Sequence, residues 1–86
     1  MIVAAAIQMG EFTASVAAPG RHHDVNYALS RAGLTPSQVS AGVEGFLSDK
    51  WAFLTRLEAL VHVQECGQEM LRTTPHALGL FSEDLW

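Results

Sequence analysis

The sequence predicts an α+β fold in which two β-hairpins form a small antiparallel sheet and two helices cover one of its faces, in the order ββαββα. Three observations lead to this prediction. Four short segments have the alternation, or the β-branched and aromatic composition, of strands. Two longer segments repeat apolar residues at the spacing of one helix face. Glycine or a Pro-Gly pair marks several of the boundaries between these segments.

The first hairpin is expected near the start of the chain, where Ile2–Met9 has the composition of a buried strand. The strand that follows alternates apolar and polar residues, as a half-buried strand does. Met9-Gly10 is the expected turn between them. The apolar residues that would share a face are Val3, Ala5, Ile7 and Met9 in the first strand and Phe12, Ala14 and Val16 in the second.

The first helix is expected after the Pro19-Gly20 turn, and it should end at Gly33, because glycine favours the left-handed conformation found there. Thr35–Gln38 then has the cap, the proline and the glutamine of a helix start. The chain reaches Gly42 soon afterwards, so we expect one helical turn or a structured loop. The apolar face of the first helix would comprise Val25, Ala28, Leu29 and Ala32.

The second hairpin is expected over residues 45–54, with a turn at Ser48–Lys50 and with aromatic residues suited to a half-buried sheet. Thr55 and Glu58 then have the spacing of a capping box, which predicts the start of the second helix. Gly67 should end this helix. The aromatic residues of the hairpin are Phe46, Trp51 and Phe53, and the apolar side of the helix would comprise Leu57, Leu60, Val61, Val63 and Cys66.

The length of 86 residues indicates a single domain, residues 1–86, with a docked C-terminal tail at about residues 76–86. We expect the tail to dock because mobile segments rarely carry so many large apolar side chains. A domain of this size has little room for a composition that is 49% hydrophobic, so we also expect a homo-oligomer. The large apolar residues of the tail are Leu78, Leu80, Phe81, Leu85 and Trp86.

The charge balance is mildly acidic, since five Lys and Arg residues against nine Asp and Glu residues give a net charge of −4. This balance disfavours nonspecific binding to nucleic acid or to anionic membranes, which requires a basic surface. The single cysteine, Cys66, excludes an internal disulfide and an all-cysteine zinc site. No apolar run reaches the roughly 20 residues of a membrane span, so we expect a protein of the reducing cytoplasm.

The candidate site lies at the starts of the two helices. Arg21-His22-His23-Asp24 stands where free main-chain amides favour an anion, and the Arg21 guanidinium matches a phosphate or carboxylate. The alternative is local capping, with one histidine in solvent. Arg56 opposes the dipole of the second helix, so either a salt bridge, which is the commoner case, or an anionic ligand should offset its charge.

The tail contributes one further candidate, Asp84, which would either be solvated or reach an arginine, a histidine, a ribose hydroxyl or a metal. A metal site built from Asp84 and three histidines has no recognised ligand spacing. We therefore predict no metal ligand, no cofactor and no catalytic residue. The three histidines are His22, His23 and His76, and the predicted ligand-binding residues are Arg21, His22, His23, Arg56 and Asp84.

Several short segments also occur in a specific order along nearly the whole chain. After an N-terminal hairpin they are Arg21-His22-His23-Asp24, Gly45-Phe46-Leu47, Phe53-x-x-Arg56-x-Glu58-Ala59, Gly67-Gln68 and Leu80-Phe81-Ser82-Glu83-Asp84-Leu85-Trp86. In this order they resemble a family of small tailed-phage proteins. The resemblance implies a phage gene product and brings no catalytic role with it. The chain departs from that pattern at Ser48–Trp51, where the turn has no glycine, and at Val61–Gln64, where small residues are usual.

Small phage proteins often act against host defence, so the resemblance implies an anti-defence role in the cytoplasm of the host cell. Two arginines and two histidines at helix starts favour a protein that sequesters a phosphate-bearing small molecule, such as a nucleotide immune signal. The alternative is a protein–protein inhibitor of a host defence complex, favoured by surplus apolar surface and negative charge. A small hydrolase would need His22 or His23 as its base, oriented by Asp24 or Asp84. We expect a binding protein rather than an enzyme.

Overall fold

The structure is a computed structural model that describes residues 1–72 and 77–86. His76, the predicted start of the tail, lies outside the described residues. The elements are β1 (Ile2–Met9), β2 (Phe12–Ala17), α1 (His22–Arg31), α2 (Pro36–Ser40), β3 (Val43–Ser48), β4 (Phe53–Thr55), α3 (Arg56–Cys66) and a 3-10 helix (Ser82–Asp84). They confirm the predicted α+β fold and its ββαββα order, to which α2 adds a short third α-helix.

The four strands form one antiparallel sheet in the order β2-β1-β3-β4. The chain between β2 and β3 carries α1 and α2 past β1, because β3 lies on the other side of β1. α1 packs on Ala5, and α3 packs on Phe46. Since Ala5 and Phe46 are opposite one another in the β1–β3 pairing, both helices cover the same face of the sheet.

An irregularity at the start of β1 changes which residues face the helices. The pairing of β1 with β3 shifts just after Ile2, so Ile2 joins Phe46 in the core while Val3 packs with the residues of the opposite face. The prediction that Val3 shares a face with Ala5 is therefore wrong, because the alternation of side chains holds only along a regular ladder. The Gln68 amide satisfies the main chain there: it accepts from the Ile2 N–H at 2.6 Å and donates to the Ile2 carbonyl at 3.1 Å.

The helix α1 buries a different stripe from the one that its apolar residues predict. Its buried residues are His22, Val25 and Leu29, whereas Ala28 and Ala32 are exposed. The predicted face is thus correct for the two large aliphatic residues and wrong for the two alanines. An alanine methyl has little apolar area to gain from burial, while the larger histidine ring packs against the Phe46 ring.

The helix α3 also turns a smaller residue to the sheet than its pattern predicts. Thr55 and Glu58 form the expected capping box, and Gly67 ends the helix with a φ of 71°. The buried residues are Ala59 and Val63, so the predicted burial of Leu57, Val61 and Cys66 is wrong. Apolar residues surround this helix on nearly every side, so their pattern does not single out the face with Ala59, which packs in the core with Phe46. In the described ranges, no helix is both long and apolar enough to cross a membrane.

Both hairpin turns differ from their predicted positions. The first consists of Gly10 and Glu11, since Met9 still pairs with Phe12 in the ladder. In the second, β4 begins only at Phe53. Trp51 therefore belongs to the turn and not to the strand, where it has a φ of 63° and a side chain that is 75% exposed.

Candidate functional site at the tail segment

Residues 77–86, here named the tail segment, pack against the N-terminal ends of α1 and α3. Leu80 is fully buried, and its main-chain N–H donates to the Arg56 carbonyl at 2.9 Å. The Trp86 indole Nε1 donates to the Gly20 carbonyl at 2.8 Å, just before α1. Gly79 lies so close to the start of α3 that a Cβ there would be 2.4 Å from the Arg56 carbonyl carbon. The tail segment therefore connects the two helix starts at which the sequence places the candidate site.

Arg21 precedes α1 in an extended conformation, and its main-chain N–H donates to the Asp24 carboxylate at 2.8 Å, which caps the helix. Its guanidinium points to the tail segment. It donates to the Ser82 hydroxyl at 3.2 Å, to the Glu83 carboxylate at 3.0 Å and to the main-chain oxygen of Trp86. Arg21 therefore does bind oxygen acceptors, and those acceptors belong to the chain itself.

Arg56 is the first residue of α3, and its side chain is only 17% exposed. The guanidinium donates to the Leu80 carbonyl at 2.8 Å and lies 4.4 Å above the centre of the Phe81 ring. The carboxylate of Glu44 on β3 is 3.6 Å from its other nitrogen. These three partners offset the unfavourable position of a cation at a helix start.

His22 occupies the core face of α1 and is 8% exposed. Its Nε2 lies 2.7 Å from the Gly45 carbonyl, which can only accept a hydrogen bond, so Nε2 carries the proton. Burial lowers the pKa of His22 below its ordinary value, and the positive charge of Arg56 lowers this pKa further. The ring is therefore a neutral structural donor, held edge-on against Phe46 with 5.0 Å between ring centres.

His23 points away from this group. Its side chain is 77% exposed, and its Nε2 is 3.4 Å from the Asp24 carboxylate. Consecutive helical residues project about 100° apart, so the burial of His22 directs His23 into solvent. The structure brings together Arg21, His22 and Arg56 and leaves His23 outside.

Asp84 is completely buried within the tail segment. One carboxylate oxygen accepts from the Arg72 Nε at 2.7 Å, and the other accepts from the Phe81 N–H at 2.9 Å. Glu83 beside it is half exposed, and the Ser82 hydroxyl and Arg21 lower the pKa of its carboxyl. The two acids thus differ: Asp84 fixes the local fold of the tail segment, while Glu83 offers its carboxylate to Arg21 at the surface.

Two residues of this region are missing from the sequence-based site. Arg72 lies in a stretch without periodicity, and Glu44 is one acid in a strand, so neither carries a local signal. Among the described residues, no group of three or more His, Cys, Asp or Glu side chains can hold a metal ion. The arrangement is chemically a site for oxygen acceptors: two partly buried guanidinium groups present charged donors to one short segment.

A comparison with protein-family models finds a family that matches the whole chain. The model described as phage T4 y16D protein matches residues 1–86. No curated protein and no solved structure matches the chain. The match agrees with the resemblance to small phage proteins that the order of the sequence segments indicates. The chain belongs to the phage T4 y16D protein family.

Proposed function

We propose that this phage protein acts in the host cytoplasm against a defence system by sequestering a phosphate-bearing small molecule, such as a nucleotide signal. One observation carries the proposal: the guanidinium groups of Arg21 and Arg56 converge on the tail segment, where they hydrogen-bond oxygen atoms. Carboxylate, hydroxyl and main-chain oxygens are acceptors of the same kind that a phosphate offers.

The ligand would compete with the tail segment for these donors. The Glu83 carboxylate is the acceptor most readily replaced, because it is half exposed and its loss uncovers no buried charge. Arg21 and Arg56 are themselves only 31% and 17% exposed, so their hydrogen bonds to an anion are stronger than those of a solvated arginine. A dianionic phosphate carries more charge than the acceptors that it would replace.

The same geometry favours binding over hydrolysis. The Nε2 proton of His22 is donated to a main-chain carbonyl, so the lone pair of the neutral ring is on Nδ1. His22 is only 8% exposed, so this lone pair is poorly placed to act as a general base on a bound substrate. His23 lies in solvent beside Asp24, away from both arginines. We therefore propose a protein without turnover, and we propose no cofactor for it.

Calorimetric titration with cyclic dinucleotides and ADP-ribose derivatives tests this function. Arg21→Gln and Arg56→Gln should each weaken binding by about tenfold or more, because each removes charged hydrogen bonds. Arg31→Gln is the matched control, since Arg31 contacts only Tyr27 among the described residues, and it should bind as the wild type does. The absence of heat with every nucleotide contradicts the proposal.

A second candidate function is the inhibition of a host defence complex through protein–protein contact. Its support is a set of exposed apolar residues, here named the α3 patch: Leu57 and Val61 of α3, and Leu78 of the tail segment, whose neighbour Gly79 lies against the start of α3. The side chains of the patch are at least half exposed. Leu57 and Val61 are neighbours on one helix face, and the exposed Glu58 and Glu65 flank them, so this surface suits a basic partner.

The two functions make different predictions for the same variants. In a pull-down from host lysate, Val61→Glu should abolish a stoichiometric complex made through the α3 patch, and Arg21→Gln should leave that complex intact. Capture that survives Val61→Glu contradicts a role for the patch. Nucleotide binding should show the opposite pattern, because the exposed Val61 side chain forms no hydrogen bond with Arg21, Arg56 or a ligand.

A further inference from the structure

A cavity lies between α1, α2 and the sheet, and its lining residue Glu44 also contacts Arg56 of the network that holds the tail segment. Its volume is about 430 Å³, which falls in the range of small-molecule sites. The wall consists of the second half of α1, of α2 and of the start of β3, and Ile7 of β1 lies behind it. The lining residues include Ile7, Asn26, Ser30, Val39, Ser40 and Glu44.

Two polar side chains of α1 line this cavity with hydrogen-bonding groups that bind no other described protein group. Asn26 and Ser30 are one helical turn apart and share a stripe of α1 with the buried His22. Within residues 1–72 and 77–86, neither the Asn26 amide nor the Ser30 hydroxyl forms a hydrogen bond with another protein group. The Ser40 hydroxyl opposite them donates to the Ser37 carbonyl at 3.2 Å, which leaves its oxygen as an acceptor.

The Glu44 carboxylate sets the charge of the cavity. It lies in the cavity wall, and one of its oxygens is 3.6 Å from the Arg56 guanidinium, which fixes it at that end. No lysine or arginine is among the residues that line the space. Arg56 contacts this carboxylate but does not line the cavity, so an anionic group inside would meet the carboxylate and no lining cation. The cavity therefore disfavours phosphate and favours groups that donate hydrogen bonds.

We propose that this cavity binds an uncharged nucleoside. The hydrocarbon surfaces of Ile7 and Val39 can take the flat base, the Asn26 amide can pair with its polar edge, and Glu44 can accept from the ribose hydroxyls. A carboxylate that accepts from a ribose hydroxyl is a recurrent device in nucleotide-binding proteins. This inference does not rest on the proposed function, because it uses neither Arg21 nor the tail segment.

Titration of the ¹⁵N-labelled protein with the four ribonucleosides tests the inference. Saturable amide shifts confined to the second half of α1, to α2 and to the start of β3 are expected with at least one of them. Ser30→Leu places a larger apolar side chain in the cavity and should weaken binding by about tenfold or more. Ser37→Leu is the control, since Ser37 lies on α2, which forms part of the cavity wall, but does not itself line the cavity, and this variant should bind normally.

Three results would overturn the inference: no saturable shift with any nucleoside, shifts spread over the whole protein, or unchanged binding by a folded Ser30→Leu variant. Glu44→Gln keeps the size of the side chain and should weaken ribonucleosides more than their 2′,3′-dideoxy analogues. Arg21→Gln should leave nucleoside affinity unchanged. A nucleoside that binds while every nucleotide fails supports the cavity and contradicts only the proposed arginine site.

Discussion

His22 shows how one residue type serves two different purposes. Its position beside Arg21 and His23 predicts a ligand-binding role, yet the structure uses it as a buried donor to Gly45. The helical stripe that it shares with Val25 could have indicated burial, because His22 lies three residues before Val25 on the same face. This spacing indicates burial but does not identify the acceptor, because Gly45 lies on the facing strand β3.

The burial of His22 predicts a pH dependence of stability. Its pKa is lowered in the folded protein by burial and by Arg56, so the unfolded chain binds more protons as the pH falls below about 6.5. Stability should decline there, with a contribution from His22 of at most about 1.4 kcal/mol per pH unit, until the folded pKa is reached.

Urea unfolding of wild type and His22→Gln across this range measures the effect. Glutamine can still donate to Gly45 but does not titrate, so its curve should be flatter than that of the wild type. His23→Gln removes a solvent-exposed ring and should keep the wild-type dependence. Parallel curves for wild type and His22→Gln contradict the assignment.

Trp51 predicts a stabilising substitution. Its φ of 63° is a conformation that costs most side chains about 1 kcal/mol, and its exposed ring loses little contact when it is removed. Trp51→Asn should therefore raise the free energy of unfolding by about 0.5 kcal/mol, because asparagine tolerates this conformation. Trp51→Val should lower it, since a β-branched residue tolerates it least. Calorimetric melting that ranks valine above asparagine contradicts this argument.

Local signals predict the elements of this protein well. The Thr55–Glu58 capping box, the Gly33 and Gly67 helix ends and both hairpins depend on residues close in sequence, and the structure contains them all. The faces of α1 and α3 are harder to predict, because they depend on which side chain the sheet can approach. Alternation fails at Val3 for a different reason: the pairing of β1 with β3 shifts there, and such a shift has no local sequence signal.

The tail segment is the element whose attachment depends most on charge. Asp84 is fully buried and accepts from the Arg72 Nε at 2.7 Å. Arg72→Met should therefore destabilise the fold by about 1.5–3 kcal/mol, as expected for the loss of a hydrogen bond to a charged group. Arg31→Met removes a surface arginine of α1 and should cost less than about 0.5 kcal/mol.

Fluorescence can show that this loss occurs at the tail segment. In a Trp51→Phe background the remaining indole is Trp86, whose Nε1 donates to Gly20. Arg72→Met should shift its emission to longer wavelength and increase its quenching by acrylamide, before global unfolding in urea. Quenching that matches the background protein would show that Arg72 does not hold the tail segment.

At the scale of the whole molecule, the sequence predicts the architecture and selects Arg21 and Arg56 as candidate binding residues. It does not predict that their partners lie in the tail segment. Arg21 contacts Ser82 and Glu83 across more than 60 residues of chain, and Arg56 contacts Leu80 across 24. Such contacts exist only once the sheet has brought the two helix starts beside the tail segment. The same sheet contributes Ile7 and Glu44 to the wall of the proposed nucleoside cavity, and neither residue belongs to a recognised motif.

The sequence composition predicts a homo-oligomer, and the exposed apolar residues of the structure suggest where two copies would meet. We expect two copies to associate through the α3 patch, where Leu57, Val61 and Leu78 are exposed. Each copy carries a net charge of −4, so two copies repel, and added salt should strengthen the association by screening that repulsion. Sedimentation equilibrium should thus show more dimer at high than at low ionic strength. Val61→Glu should give a monomer, whereas Val43→Glu, at an equally exposed valine of β3, should leave the dimer intact. A dimer that salt dissociates would mean that opposite charges hold the copies together, and the contact would then have to lie away from the α3 patch.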